Sequence, residues 1–474
     1  MSESPESMQT YQNQQFTNGN ISHWYQSVER QAVRPPLPGD LTADVAIVGG
    51  GMTGLWSAYY LKKAQPELDV IVIEKEFVGF GASGRNGGWL SAEPAGQYRR
   101  YAQDRGHVAA QRLQHEMFGA VQESVDVARR EGFDEDLVHN GLMHVATNAA
   151  QLARAQAKVA AMKEQGWGED DVFLLSPSEL DERVRVENSH GGYWTPHCAR
   201  VHPAKFTLGL AKAVERLGVT IYEATTATEI SAHTVLTDRG LVTAKFVIQA
   251  LEGYTHTLTG QRRKMLPMNS SMAITEPLTQ AQLDVIGWEG SELVGDVAHS
   301  FTYMQHTADN RIAIGGRGVP YNFATSFDPQ GSTAQQTIRQ LHERLVQLFP
   351  VLHDIRFDHS WTGVLGVPRD WSAAVTYDRD AGVLTAGGYV GHGVAGTNLA
   401  ARTVRDLVLQ QDTDLTRLPW VNRTARHWEP EPLRWIGATA LYGVYRYADR
   451  QEYAAQTPKT HWTARLADVI AGRN

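Results

Sequence analysis

Gly49-Gly50-Gly51-Met52-Thr53-Gly54 constrains this chain more than any other stretch. It fits G-x-G-x-x-G, and its flanks matter more than the pattern. Val45-Ala46-Ile47-Val48 before it is a compact apolar strand candidate. Met52 to Lys63 after it reads as a helix, with Pro66 and Asp69 marking the exit. Val70-Ile71-Val72-Ile73 is a second apolar strand. Strand, helix, strand in this order favours a parallel sheet with a right-handed crossover. Gly49 allows the tight turn, Gly51 lets a pyrophosphate approach the backbone, and Gly54 lets the helix pack closely on the sheet. The free N–H groups at the helix start, around Met52 and Thr53, supply donors for phosphate.

Glu74, followed by Lys75, lies twenty residues beyond Gly54 at the end of the second strand. Its carboxylate can accept hydrogen bonds from both ribose hydroxyls and disfavours a 2′-phosphate. These features point to a dinucleotide without separating FAD from NAD. For the glycines alone, the alternative is a structural turn.

A second cluster, Gly81-Ala82-Ser83-Gly84-Arg85-Asn86-Gly87-Gly88, follows almost at once. Ser83 and Asn86 can donate to a ring or a phosphate, and Arg85 can contact a phosphate or a substrate carboxylate. Gly87 and its neighbours permit close backbone approach. The alternative is a flexible surface loop. A third cluster runs from Gly387 to Asn398, between a strand candidate at Gly382 to Ala386 and a helix at Leu399 to Leu409. Backbone N–H groups of Gly391, Gly393 and Val394 at such a helix start can stabilise negative charge, such as develops at the N1/C2=O edge of reduced flavin. His392 either faces the ring or substrate, or stabilises the glycine turn. An NAD-only dehydrogenase would leave the second and third clusters without a clear purpose.

Composition narrows the remaining classes. With 474 residues, 42% hydrophobic and 20% charged, the chain is globular, and disorder, collagen and a disulfide scaffold are poor readings. Its 44 Lys+Arg against 52 Asp+Glu provide no general attraction to nucleic acid. The single cysteine, Cys198, forms neither an intrachain disulfide nor, alone, a thiolate zinc site. MSESPESMQTYQNQQ lacks the basic start and apolar run of a secretory signal. No stretch reaches the roughly 18 apolar residues of a transmembrane helix. A cytoplasmic protein is expected.

Further elements are legible. Phe206, Leu210, Ala213 and Leu217 mark a helix, followed by strands at Val219 to Tyr222 and Phe246 to Ile248, the latter pair separated by a polar stretch. Ile338, Leu341, Leu345 and Leu348 share one helix face, and Pro350 ends that helix. The first forty residues are polar and Pro-rich, so structure is expected to begin at Val45. Residues 35–100, 196–260 and 359–415 are assigned to a nucleotide domain, 101–195 and 261–358 to an inserted substrate domain, and 416–474 to a C-terminal extension. In that extension the apolar, aromatic run Leu433 to Tyr447 can pack over the cofactor domain, form a subunit contact or lie on a membrane surface; packing is favoured because the run is short.

The three clusters resemble the FAD-dependent oxidoreductases of the D-amino-acid-oxidase (DAO) family, and within it the gamma-glutamylputrescine oxidoreductases. The matching text is ADVAIVGGGMTGLWSAYYL, VIEKEFVGFGASGRNGGWL, VHPAKFTLGLAKAVERLGVTIYE, AITEPL, RIAIGGRG and GYVGHGVAGTNLAARTVRDLV, spread over about residues 35 to 410. The resemblance implies an α/β fold: a Rossmann-like FAD-binding domain with an interleaved mixed-sheet α+β substrate domain. It implies oxidation of an amine carbon–nitrogen bond to an imine, hydrolysis to a carbonyl and an amine, and reoxidation by O2 giving H2O2. A gamma-glutamylputrescine-like amine or an amino acid is the implied substrate. The alternatives are an amine dehydrogenase that passes electrons to a quinone or protein, and a non-catalytic flavin-binding protein.

Carried over by position, Gly49, Gly51 and Gly54 would hold the pyrophosphate and Glu74 the ribose. Ser83, Arg85, Asn86 and Gly87 would run beside the isoalloxazine and pyrophosphate. Gly391, His392, Gly393 and Val394 would lie at the pyrimidine edge, and the backbone of Val247 would touch adenine. His392 and Arg85 are the catalytic candidates. Relatives read Ala-Thr-Asn-Ala-Tyr where this chain has Ala250-Leu251-Glu252-Gly253-Tyr254, so Glu252 either contacts an amine or points to solvent. Trp361 to Leu365 holds no cysteine and Ser83 to Gly88 no histidine, so FAD is expected to bind non-covalently. Trp361 and Tyr389 are cavity walls or buried packing. His202 precedes a helix, where capping or packing outweighs catalysis. The spacing of His190, His197, Cys198 and His202 matches no standard structural zinc pattern, so no metal is expected, and no base for a nucleophilic Cys198 is identifiable.

Overall fold

The computed structural model describes residues 16–29, 33–316, 318 and 321–471; the N-terminal stretch read for a secretory signal lies outside them. Two large sheets organise the chain. The eight-stranded sheet has a parallel centre: Thr220–Tyr222, Val70–Ile73, Leu41–Val48, Leu241–Gln249 and Val383–Gly387. Ile47 sits in register between Val72 and Ile248.

Alternation along these strands explains their double burial. Val45, Ile47, Val70 and Val72 point into one apolar cluster, which the helices Met52–Ala64, His107–Glu131, Pro203–Arg216 and Gly393–Val408 complete. Ala46, Val48, Ile71 and Ile73 point into a second cluster on the opposite face, with Val235 and Val242. Val235 belongs to an antiparallel hairpin, Ala227–Ser231 with Thr234–Thr237, folded from the polar stretch before Phe246.

The nine-stranded sheet is mixed. Its order is Thr17–Asn18, Phe357–Val367, Leu266–Thr275, Ile312–Gly316, Tyr303–His306, Leu293–Asp296, Leu142–Val145, Gly192–Thr195 and Phe173–Leu175. The helix Gln335–Leu348 packs on it through Ile338, Leu341, Leu345 and Leu348.

Four expectations need correction. Ordered structure begins well before Val45. Thr17–Asn18 pairs with the edge of Phe357–Val367, and Trp24 is 2% exposed. A two-residue strand carries no periodicity to detect. The helix His107–Glu131, placed with the substrate domain, contributes Leu113, Met117, Val121 and Val125 to the core under the parallel sheet. Residues 359–367, placed with the nucleotide domain, run in the nine-stranded sheet instead. The helix expected from Leu399 already starts at Gly393.

The C-terminal extension divides between the two halves. Trp420 and Val421 join the core of the parallel sheet. Trp428 and Tyr442 pack with Leu266, Met268 and Val367 of the nine-stranded sheet. No helix among the described residues is long and apolar enough to cross a membrane.

Candidate active site

The carboxyl ends of the parallel strands open into a cavity. Gly49, Gly51, Met52, Thr53, Glu74, Lys75, Ser83, Asn86, Gly391, Gly393 and Val394 all line it. Each glycine of the first cluster has its own reason. Gly49 has φ +114°, and a Cβ there would lie 2.5 Å from the carbonyl oxygen of Ala250. A Cβ on Gly51 would lie 2.9 Å from Ser83 Oγ. At Gly54 it would collide with the Gly49 carbonyl oxygen. Ser83 reaches the helix start itself, and its Oγ accepts a hydrogen bond from Met52 N at 2.9 Å.

Glu74 caps the second strand. Its Oε2 accepts from Gly50 N at 2.7 Å and its Oε1 from Glu76 N at 3.0 Å. Withdrawal from water pushes its pKa up to about 7, against the pull of those two N–H groups. Beside it the cavity wall is Thr225, Thr226 and Ala227, with Leu251. Val247 is not there. It is fully buried in the middle of its strand, paired to Ala46 and Val383 on either side, and its N–H donates to Gly382 O. A residue inside the ladder, flanked by strands on both sides, has no backbone to offer a ligand; the loop past a strand end does.

The second cluster is held from outside the cavity. Arg85 is 3% exposed. Its Nε donates to Phe80 O at 2.8 Å, Nη1 to Thr362 O at 3.2 Å and Nη2 to Pro329 O at 2.9 Å. The guanidinium also lies 4.5 Å over the Phe80 ring. Three of its five N–H groups are thus given to carbonyls, which makes it a staple between the loop and its surroundings. Asn86 likewise shapes its own loop, donating to Ala82 O and Ser83 O and accepting from Gly88 N. Two indoles close the outside: Trp24 Nε1 donates to Asn86 O and Trp361 Nε1 to Arg85 O, both at 2.9 Å. Trp361 is thus buried packing, while Tyr389 does line the cavity and accepts from Thr53 Oγ1.

Glu252, half-buried, lines the first cavity, and its carboxylate is taken up by backbone donors. Its Oε2 accepts from Gly366 N at 2.6 Å, and its Oε1 from Gly388 N at 3.1 Å and Tyr389 N at 2.8 Å. One carboxylate thereby joins the end of Phe357–Val367 to the third glycine cluster. Desolvation outweighs these three donors and raises its pKa to about 7.

A second cavity shares Ala82, Asn86, Leu365, Gly391 and Val394 with the first. Arg85, Gly87 and His392 line it. So do Glu93, His144 and Lys158, which sequence reasoning did not single out. Glu93 lies 3.8 Å from His392 Nδ1 and 3.4 Å from Lys158 Nζ. Burial pushes its pKa up, but Lys158, His392 and His144 together outweigh it and hold the carboxyl down to about 2. His144 stacks on Tyr193 at 4.8 Å, and burial lowers its pKa. Glu93 did carry one signal: it follows the second glycine cluster by five residues.

The remaining histidines scatter. His202 Nδ1 caps the helix Pro203–Arg216 by accepting from Lys205 N at 3.3 Å. His197 stacks on Phe118 and pairs with Asp171 at 2.6 Å. Cys198 is buried between strands, and desolvation raises its thiol pKa well above the ordinary value.

A glycine-lined cavity at the ends of parallel strands, two helix N-termini and an acidic strand end fit a dinucleotide. A family profile described as FAD dependent oxidoreductase, DAO, matches residues 44–407. The chain belongs to the DAO family. Gamma-glutamylputrescine oxidoreductase of Escherichia coli (strain K12) is 30% identical over 402 residues, covering 83% of this chain and 90% of that protein. Glycine oxidase of Geobacillus kaustophilus (strain HTA426) is 24% identical over 388 residues, covering 80% and 96%. The crystal structure of glycine oxidase from Geobacillus kaustophilus superimposes with TM-score 0.66 at 21% identity, covering 82% of this chain and all of that one. L-proline dehydrogenase from P. horikoshii gives 0.63 at 18%, covering 80% and 96%. This DAO-family chain is an FAD-dependent oxidoreductase of the class that acts on amines or amino acids.

The Arg85 geometry yields a prediction. Arg85→Met strands three carbonyls and is expected to cost about 2–3 kcal/mol of stability. Flavin content should fall, while the KM of the flavin-loaded fraction for its substrate stays unchanged. A large KM rise with full flavin content would make Arg85 a substrate anchor after all.

Proposed function

We propose that this enzyme oxidises the carbon–nitrogen bond of an amine bearing a distal carboxylate, of the gamma-glutamylputrescine kind, and returns its electrons to O2 as H2O2. The single observation that carries the reading is the charge layout of the second cavity. Glu93, ionised at neutral pH, lies beside the third glycine cluster and pairs with Lys158 at 3.4 Å. A substrate that entered this ion pair would find a carboxylate for its ammonium and an ammonium for its carboxylate. The 30% identity to a gamma-glutamylputrescine oxidoreductase supports the same substrate class.

In this reading Gly49, Gly51, Met52, Thr53 and Ser83 hold the pyrophosphate, and Glu74 the adenosine ribose. Thr225 to Ala227 replace Val247 beside adenine. Gly391, Gly393 and Val394 present N–H groups to the pyrimidine edge, where the helix N-terminus stabilises negative charge. The bound FAD supplies the two-electron acceptor for the carbon–nitrogen bond. Glu93 draws the ammonium in; the amine must shed its proton before it can be oxidised, and His392, 3.8 Å from Glu93, is placed to receive it. The residues shared by the two cavities, among them Asn86, Leu365 and Val394, are where the amine carbon would be oriented. In this reading FAD is held non-covalently; among the described residues that line the first cavity none is a cysteine or histidine.

The test is an anaerobic visible-absorption titration with a panel of amines and amino acids, including gamma-glutamylputrescine, followed by air. Bleaching by carboxylate-bearing amines, with rapid recovery and peroxide, is the expected result. Slow recovery in air would favour a dehydrogenase using a quinone or protein acceptor, as the shared fold of L-proline dehydrogenase allows. A flavin spectrum that nothing bleaches would remove the amine assignment.

A further inference from the structure

The loop between strands Leu293–Asp296 and Tyr303–His306 forms one wall of the second cavity through Val297, Ala298, His299 and Phe301. Its base is pinned locally. Asp296 Oδ1 accepts from Ala298 N at 3.2 Å and Thr302 N at 3.1 Å, and Oδ2 accepts from Arg344 Nε at 3.0 Å. Its tip is pinned from far away in sequence, by the helix Leu433–Ala455.

Three residues of that helix do the pinning. Asp449 accepts from His299 N at 2.8 Å and from Ser300 N at 2.9 Å, one on each oxygen. Glu452 Oε1 accepts from His299 Nε2 at 2.9 Å, and Oε2 pairs with Arg154 Nη1 at 2.6 Å. Arg154 in turn donates to Val297 O at 3.1 and 3.0 Å and itself lines the cavity. The Tyr445 ring stacks on His299 at 5.8 Å. Tyr445, Asp449 and Glu452 are spaced four and three, so they share one face of the helix. All four carboxylate oxygens are engaged by N–H donors, which makes the group a clasp rather than a cation site. The face lies beyond the family match, which ends at residue 407.

We propose that Asp449 and Glu452 are positioning residues: the C-terminal helix holds the Val297–Phe301 loop in place as the wall of the substrate cavity, and so sets which amines fit. The inference rests on the reading of the second cavity as the substrate chamber. Burial pushes the Glu452 pKa up, but His299, His461 N and Arg154 outweigh it and hold the carboxyl down to about 2, so Glu452 is charged at neutral pH, whereas burial raises the Asp449 carboxyl.

The test uses full-length, flavin-loaded protein carrying Glu452→Ala, Glu452→Gln or Asp449→Asn. The readouts are flavin per chain, KM and the limiting rate of anaerobic flavin reduction across an amine series of increasing length. For a compound that perturbs the flavin spectrum without bleaching it, Kd replaces KM. Flavin content should stay at the wild-type level. With Glu452→Ala and Asp449→Asn, KM should rise about tenfold while the reduction rate stays within about threefold. The preference between short and long amines should narrow. Glu452→Gln keeps an acceptor for His299 and should recover part of the loss. KM and chain-length preference within about twofold of wild type in Glu452→Ala and Asp449→Asn would overturn the proposal. Loss of flavin or of folding in both would also overturn it, because the clasp would then be general scaffolding. Absence of any response by the wild-type protein to the whole panel would instead sink the amine reading on which it rests.

Discussion

A Gly54→Ala variant is expected to purify colourless. The added methyl would collide with the Gly49 carbonyl oxygen and press on Ile47 Cγ2 at 3.1 Å. Neither can yield easily. Gly49 is itself fixed by its φ of +114° and by the Ala250 carbonyl, and Ile47 is fully buried between two strands. Relief therefore requires the helix Met52–Ala64 to move off the sheet, carrying the Met52 N–H group away from the phosphate position. Overpacking of this kind costs about 3 kcal/mol, enough on its own to weaken FAD more than a hundredfold if the site must be restored on binding. Gly119→Ala is the matched control. It lies inside the helix His107–Glu131, no atom stands within 4 Å of its Cβ position, and it should keep its flavin and gain up to about 1 kcal/mol. The ratio of absorbance at the flavin band to that at 280 nm measures both. A yellow Gly54→Ala protein of wild-type stability would show that the close approach is dispensable.

Glu252→Ala should be the most damaging change away from the glycines. It strips an acceptor from Gly366 N, Gly388 N and Tyr389 N together. Unsatisfied donors cost about 1–3 kcal/mol each, so a loss of about 3 kcal/mol or more is expected, with weakened FAD because the third glycine cluster loses its anchor. Glu252→Gln should fall between, since its amide can satisfy two of the donors but turns an NH2 toward the third. The pH dependence separates the ionic part. The folded-state pKa of about 7 lies above the ordinary 4.5, so the folded chain binds the proton more tightly. The contribution of this group is therefore fully present below about pH 4.5 and is lost as pH rises toward 7. In flavin-free protein that component of the Tm slope should vanish in Glu252→Gln. An unchanged slope would mean that Glu252 does not titrate in this window.

How far the sequence carries depends on whether a signal is local. Strand Val70–Ile73 and the helix after Gly51 are legible because the alternation, the glycines and the exit at Pro66 lie within a few dozen residues. Gly49, Gly51 and Glu74 stand out because the pattern that marks them is short, although Gly49 packs against Ala250 from a distant part of the chain. The stapling by Arg85 was hidden because two of its three partners, Pro329 and Thr362, lie up to 277 positions away. Val247 was misread for the opposite reason: a strand was recognised, but which of its residues reaches past its paired neighbours depends on register. Glu252 stood out as a departure from the family pattern, yet its partners come from two segments that only the fold brings together. The allegiance of His107–Glu131 was hidden because an amphipathic helix announces that it will be covered, not by what.

The pairing of Thr17–Asn18 and the indole of Trp24 bear on what counts as one folding unit. The family match runs from residue 44 to 407, and a fragment trimmed to that span would read as complete. It would leave His359 and Ser360 as an open sheet edge, the Asn86 carbonyl without its indole donor, and the seats of Trp420 and Trp428 empty. An exposed edge of that kind invites pairing with other chains. The unit that evolution repeats is thus smaller than the unit that physics closes, and the difference is made up by the two ends of the chain.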